Sequence, residues 1–349
     1  MKVHVMDLNI GDQLLHDTFN AHGLHILSSG TTLTQYDIAK LLEHQITYID
    51  IQPYETDLLH EDYGLLTEDA LRLLRPIYDQ AIRNTKSLYQ AAEQTGRIDH
   101  DFVKKTFSPI ASILKQQHDV VDLLLELNIK DDYTYQHSIQ VGMLSYYIAK
   151  WNNYSEEEAQ FIAIAGYLHD IGKCRIDSQL LQRSDKLAAE EESIVAKHTQ
   201  YGYEIIINSN YPYTVALAAL QHHERMDGSG YPMKLSGSNI SPYAKIVMVA
   251  DHYSNHITNC PNQIKQDLFT VLQNLYDLTF STLDPVITHN FISHMLPNFI
   301  GKKIQLDTDE VGKILLINYN DFFRPLIQID DHFINLSAER QLKIKQVIQ

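Results

Sequence analysis

The chain has 349 residues, with 28 Lys+Arg against 44 Asp+Glu for a formal charge of -16. That length corresponds to about two domains with a substantial core, which excludes a mini-protein held only by metal or disulfides. The negative field, unrelieved by any basic tract, argues against a nucleic-acid polymer as partner, although metal ions in a pocket can invert the local field for a small anionic nucleotide.

The first stretch, 1–55, alternates short apolar runs with glycines (VHVMDLNIGDQL, HGLHILSSGTTL), then gives a helical pattern, TQYDIAKLLEH, and a strand-like ITYIDI. It reads as a small α+β module. Its start, MKVHVMDLNIGDQ, lacks the apolar core of a signal peptide, and no window of the chain approaches about 18 apolar residues, so no membrane partner is expected. The two cysteines, Cys174 and Cys260, fit no zinc or redox spacing and read as free thiols in a reducing compartment, which favours the cytoplasm.

From 65 to 128 the pattern turns helical, with Leu71, Leu74, Ile77, Ile82 and Leu88 before a break at QTGRIDHD and Phe107, Ile110, Leu114, Val121 and Leu125 after it. Two helices forming an antiparallel hairpin are expected, serving as linker, internal support or the interface of a homodimer. Residues 131–297 are again helix-dominated and hold nearly all the chemistry. After them, 301–349 returns to strand-like runs broken by Gly312 and the Asn318 to Asp321 turn, predicting a small β appendage closed by a polar helix over SAERQLKIKQVIQ.

Five stretches within 131–297 carry reactive side chains. In DDYTYQHSIQVGMLSYYIAKW, His137, Val141, Leu144 and Ile148 share one helical face, so His137 turns inward as a hydrogen-bonded core residue or a ligand. In FIAIAGYLHDIGK, an apolar helix ends at His169 and Asp170, with Gly172 in the position of a C-cap and Lys173 beyond. An ionisable pair there is costly unless a metal or an ordinary His–Asp hydrogen bond satisfies it. His198 lies one turn before Gly202 in VAKHTQYGYEII, His222 and His223 end the apolar run YTVALAALQ, and Asp251 ends ISPYAKIVMVAD.

His137, His169, His198, His222, His223, Asp170 and Asp251 are too many ligands for one tetrahedral ion. They suit two ions of mixed N/O coordination with open positions, and without cysteine the set favours iron or manganese, with zinc and nickel still compatible. A pair of ions about 3.5 to 4 Å apart sharing a hydroxide is an arrangement that hydrolyses phosphate esters. Beside His222 and His223, HHERMDGSGYP continues into a turn: Asp227, Gly228 and Gly230 allow a sharp loop and Tyr231–Pro232 fixes its exit.

In this order, HDIGK at His169 to Lys173 and HHERMDGSGYP at His222 to Pro232, with QHS at His137, His198 and Gly202, and VAD at Asp251, resemble the HD-GYP subgroup of HD-domain phosphohydrolases. The resemblance covers 131–297. It implies a mainly α fold, an HD-type helical bundle flanked by the α+β module and the β appendage. It also implies hydrolysis of the bacterial second messenger cyclic di-GMP to the linear dinucleotide or GMP. It further implies one metal on His137, His169, Asp170 and Asp251, a second on Asp170, His198, His222 and His223, with Asp170 as bridge and Lys173 near the scissile phosphate. Tyr133 stands where some members carry a glutamate for a third metal, so two ions are expected. The loop from Asp227 to Pro232 is expected to support the site and to dock signalling partners.

One departure from the family's pattern follows VAD, where DHYSNHITNCPNQ places Cys260 and Gln263 at the positions of phosphate-clamping basic residues. Losing two such contacts weakens ground-state binding by roughly a few kcal/mol unless others replace them. An alternative reading is therefore a cyclic-dinucleotide-binding module with weak or no turnover, or a phosphohydrolase on another nucleotide.

Overall fold

A computed structural model of the chain describes residues 2–5, 8, 12–20, 23–44, 46–52, 68–114, 133–181, 183, 187–257 and 267–348. The chain divides into two compact units, Met1–Leu65 and Leu66–Gln349. In the first, β1 (Lys2–His4), β2 (Thr18–Phe19), β3 (His25–Leu27), helix α1 (Gln35–Glu43) and β4 (Tyr48–Asp50) follow one another. β1 pairs antiparallel with β4, Val3 opposite Ile49, and β2 with β3. Helix α1 starts at a reciprocal cap, where the Thr34 N–H donates to Asp37 Oδ2 (3.0 Å) and the Asp37 N–H to Thr34 Oγ1 (3.3 Å). Val3, Leu14, Ile26, Leu33, Leu41 and Ile49 fill its core.

The second unit opens with α2 (Glu68–Thr95) and α3 (His100–Leu114), which pack on each other. The break predicted at QTGRIDHD is the connection between them, with Gly96 at φ +68°. Tyr89 Oη meets Ser138 Oγ at 2.9 Å and Thr85 Oγ1 meets Tyr167 Oη at 2.8 Å, so this hairpin serves as internal support for the helices behind it. Its expected continuation through Val121 and Leu125 lies outside the described residues.

The bundle follows: α4 (Tyr133–Trp151), α5 (Glu156–Leu168), a 3-10 turn (Ile171–Arg175), α6 (Ser178–Leu181), α7 (Ala189–Ala196), α8 (His198–Asn208), α9 (Tyr213–Gln221), α10 (Pro242–Ile257), α11 (Leu268–Leu278) and α12 (Pro285–Met295). Helix α4 is buried on every side from Gln136 to Ala149, as a helix at the centre of a bundle must be. Helix α5 has the opposite start, where Glu156, Glu157 and Glu158 complement the helix dipole and Ser155 caps. Among the described residues no helix is long and apolar enough to cross a membrane.

The chain closes in a five-stranded antiparallel sheet of β5 (Lys303–Leu306), β6 (Val311–Leu316), β7 (Leu326–Ile329), β8 (His332–Asn335) and β9 (Ile344–Ile348), ordered β8-β7-β6-β5-β9. Ile304, Leu306, Ile314 and Ile327 enter the same core as the helices. The helix expected over SAERQLKIKQVIQ is not formed; β9 pairs with β5 instead, Ile304 opposite Val347. Without it the outer N–H and C=O groups of β5 would lack a ladder partner, and that demand overrides a weak local helical preference.

Gly172 also differs from expectation. It sits inside the 3-10 turn and not at a helix C-cap, and a Cβ there would lie 2.0 Å from the His198 carbonyl oxygen and 2.4 Å from Gly202 N. Its missing side chain lets the turn press against the start of α8. Gly172→Ala should therefore lower stability by about 3 kcal/mol or more, read as a drop in midpoint in thermal or urea unfolding; an unchanged midpoint would contradict the close approach.

Candidate metal centre

All seven side chains expected to bind metal are brought together. His137 comes from the first turns of α4, His169 and Asp170 from the end of α5, His198 from the junction of α7 and α8, His222 and His223 from the end of α9, and Asp251 from the middle of α10. His137, His169, Asp170, His198, His222 and Asp251 are buried and His223 is half-buried. Their donor atoms form three overlapping groups: His137, His169 and Asp251; His169, Asp170 and His222; and His198, His222 and His223.

Three of the histidines are aimed by the same local device. His169 Nδ1 lies 2.7 Å from the Gly166 carbonyl, His198 Nδ1 2.7 Å from that of Val195, and His222 Nδ1 2.9 Å from that of Ala219. Each carbonyl is three residues upstream in the last turn of α5, α7 or α9, where carbonyls lack helical partners. A carbonyl only accepts, so each Nδ1 carries a proton and each ring turns its Nε2 inward, as a lone pair in the neutral rings of His198 and His222. Three helix C-termini, each with its partial negative charge, thus converge on one point, which favours a cation there.

His137 lies within a helix, where the carbonyls behind it are already bonded, so its orientation comes from a different source. Its Nδ1 meets Ser254 Oγ at 3.0 Å, and the Ser254 hydroxyl donates to Gln140 Oε1 at 3.2 Å. With its own hydrogen committed, Ser254 Oγ accepts from His137 Nδ1, and again Nε2 points inward.

The inward atoms cannot satisfy one another. His198 Nε2 and His222 Nε2, both lone pairs, are 3.3 Å apart, and His137 Nε2 is 3.0 Å from Asp251 Oδ1. His169 Nε2 and Asp170 Oδ1 are buried with no hydrogen-bond partner among the described residues. Such a set of electron-rich atoms is stable only around positive charge, and its N/O character fits divalent transition ions. The two oxygens of Asp170 face opposite ways: Oδ2 is 3.3 Å from His169 Nε2, while Oδ1 is 3.3 Å from His198 Nε2 and 3.8 Å from His222 Nε2. Lys173 reaches back from the 3-10 turn to pair with Asp170 Oδ2.

Electrostatics divide the rings. Burial pushes His198 down to about 4 and His223 down to about 3, and burial, with the adjacent His223 imidazole opposing a second proton, holds His222 well below the ordinary imidazole range. Burial also pushes His169 down, but the Asp170 and Asp251 carboxylates outweigh it and raise His169 to about 10. Burial alone would raise both carboxyls; His169 and Lys173 hold Asp170, and His137 and His169 hold Asp251, well below the carboxylate range.

Residues 123–285 match the family described as the HD domain. The chain is similar to a cyclic di-GMP phosphodiesterase of Pseudomonas aeruginosa, with 23% identity over 263 residues, 75% of this chain and 63% of that protein. It is similar also to a cyclic di-GMP phosphodiesterase of Thermotoga maritima, 32% identical over 188 residues, 53% of this chain and 50% of that one. A 3'3'-cGAMP-specific phosphodiesterase of Vibrio cholerae is 34% identical over 134 residues, 38% of this chain and 26% of its own. The stretch that matches the HD domain contains all seven of the clustered side chains. The chain spans less than two thirds of the length of these relatives.

The loop that follows His223 is fastened by a residue that the sequence reading passed over. Glu224 is buried and accepts from the Met233 N–H (2.7 Å) and the Leu235 N–H (2.8 Å), tying the far side of the loop to the residue after His223. A Cβ at Gly230 would lie 2.4 Å from both Glu224 Cα and the His223 carbonyl oxygen, so only glycine lets the loop close. Asp227 accepts from Ser229 N (2.9 Å), Gly228 takes φ +80°, and Tyr231, before a cis Pro232, stacks on His223 at 4.7 Å. The sequence signal for Glu224 was its place in HHERMDGSGYP, directly after two ligands, with no role attached to it. Cys260 and Gln263 lie outside the described residues.

The opposed shifts yield a test. Near neutral pH, His169 holds a proton that a divalent ion must displace, while His198 and His223 have none to lose. Mn2+ binding at about pH 7.5 should release about one proton, measured from the dependence of calorimetric enthalpy on buffer ionisation, and the release should vanish above about pH 10. Binding without proton release would contradict the raised His169.

Proposed function

We propose that the chain is a metal-dependent phosphodiesterase that hydrolyses cyclic di-GMP, or a closely related cyclic dinucleotide, to the linear dinucleotide or mononucleotide. The observation that carries this reading is the two-sided carboxylate of Asp170. One oxygen faces the group of His137, His169 and Asp251, and the other faces the group of His198, His222 and His223. That arrangement supports two ions, iron or manganese, bridged by Asp170. Divalent ions held by these residues would acidify a water, stabilise charge on the phosphoryl oxygens and offset the repulsion that a chain of charge -16 exerts on an anionic substrate. The relatives' named substrates, cyclic di-GMP and 3'3'-cGAMP, supply the substrate class.

The chain's own groups have distinct tasks in this reading. The carbonyls of Gly166, Val195 and Ala219 keep the Nδ1 protons out of the site, so that the rings coordinate without rearrangement. Lys173, paired with Asp170 and part-exposed, is the ammonium placed to stabilise phosphate charge or to protonate the leaving oxygen. Tyr231, stacked on His223, shields that imidazole from water. The reading also takes the loop from Asp227 to Pro232 as a docking surface for signalling partners, the α2–α3 hairpin as a homodimer contact, and the cytoplasm as the place of action.

Protein loaded anaerobically with Fe2+ or Mn2+ should convert cyclic di-GMP to linear product. If neither metal supports turnover of cyclic di-GMP, 3'3'-cGAMP or cyclic di-AMP, the proposed activity is wrong. Asp170→Ala should lose both ions, by elemental analysis, together with all turnover; a variant that kept both would remove the bridging assignment.

A further inference from the structure

Asp251 is held from outside the cluster by a relay that contains no metal-binding residue. Tyr133, one turn before His137, lays its ring parallel to that imidazole, with centroids 5.6 Å apart and planes 13° apart. Its hydroxyl donates to Asn255 Oδ1 at 2.8 Å, and Asn255 Nδ2 donates to Asp251 Oδ1 at 2.9 Å. The same Asp251 oxygen is 3.0 Å from His137 Nε2 and 3.6 Å from His169 Nε2.

The direction of this relay matters because an asparagine amide has two ends of similar shape and opposite polarity. Turned over, Asn255 would place its carbonyl oxygen against the Asp251 carboxylate, an oxygen–oxygen repulsion within a buried site. The Asp251 carboxylate, which only accepts, selects the productive orientation, and the Tyr133 hydroxyl completes it by donating to the outward Oδ1 of Asn255. The amide then fixes the carboxylate's rotation with a charge-assisted bond. Ser254, the residue before Asn255 on α10, meanwhile fixes the ring of His137. Adjacent positions on one helix therefore orient two members of the same ligand group.

We propose that Tyr133 and Asn255 are positioning residues for Asp251, and that they set the affinity of the metal ion taken by His137, His169 and Asp251 without acting on the ion at His198, His222 and His223. This rests on the two-ion reading above. The hydroxyl of Tyr133 acts through Asn255, and Asn255 acts through the carboxylate.

The experiment is a titration of the full chain, stripped with chelator, using Mn2+ alone, with calorimetry resolving the two binding steps. Tyr133→Phe keeps the ring against His137 and removes only the hydroxyl; one step should weaken about ten- to hundred-fold and the other stay unchanged. Asn255→Ala should weaken the same step, and the double variant should be no weaker than Asn255→Ala, since the two residues act in series. Thermal melting of the stripped proteins, unchanged in Tyr133→Phe, separates positioning from loss of fold. The proposal is overturned if Tyr133→Phe leaves both steps as in the wild type, or weakens both equally. A wild-type protein that takes up no Mn2+ would instead overturn the metal reading on which the proposal stands, an outcome separate from the first.

Discussion

The direction of four imidazole protons governs this protein. In each ring of His137, His169, His198 and His222 the Nδ1 hydrogen is committed to an acceptor outside the cluster, and the Nε2 atoms are left facing one another and two carboxylates in a buried space. That arrangement is unfavourable by itself, because buried acceptors without donors cost roughly 1–3 kcal/mol each. Positive charge at the centre makes it favourable. The bundle holds the rings in place against their mutual repulsion, and the site's affinity for cations is the other face of that cost.

The fold supplies the acceptors by ending helices. Helices α5, α7 and α9 finish at the centre, so their unpaired last-turn carbonyls, a liability at any buried helix end, become the second partners of the ligands. The 3-10 turn after α5 makes this compatible with packing, since it reverses the chain within a few residues and lets Gly172 sit against the start of α8. The α2–α3 hairpin backs the arrangement from outside through Tyr89 and Thr85, which bond to Ser138 and Tyr167 on the two helices that carry His137 and His169.

Much of this was legible in the sequence because the signal is local. Apolar runs that stop at His or Asp, as FIAIAGYLHD and YTVALAALQHH do, announce both a helix and the charge at its end. The helices of 131–297, the flanking α+β module and the terminal strands were legible as periodicities, while their assembly as a bundle was implied by the family resemblance. What stayed illegible depends on partners far along the chain. Ser254 and Gln140 bond 114 residues apart, and nothing in either neighbourhood marks the pair. Glu224 is buried and accepts from two backbone N–H groups nine and eleven residues further on, partners that its own neighbourhood does not mark. The last strand was misread because its start resembles a helix, while its fate is set by the open edge of β5.

The three-residue reach from imidazole to carbonyl also bears on how such a site drifts over generations. The aim of His169, His198 and His222 is written within their own helix turns, so neighbouring core positions can be exchanged freely without turning those rings. His137 has no such insulation: its orientation is written 117 residues away, at Ser254. Change accumulating in α10 therefore reaches one half of the centre before the other, and lineages losing this chemistry should show its first erosion there.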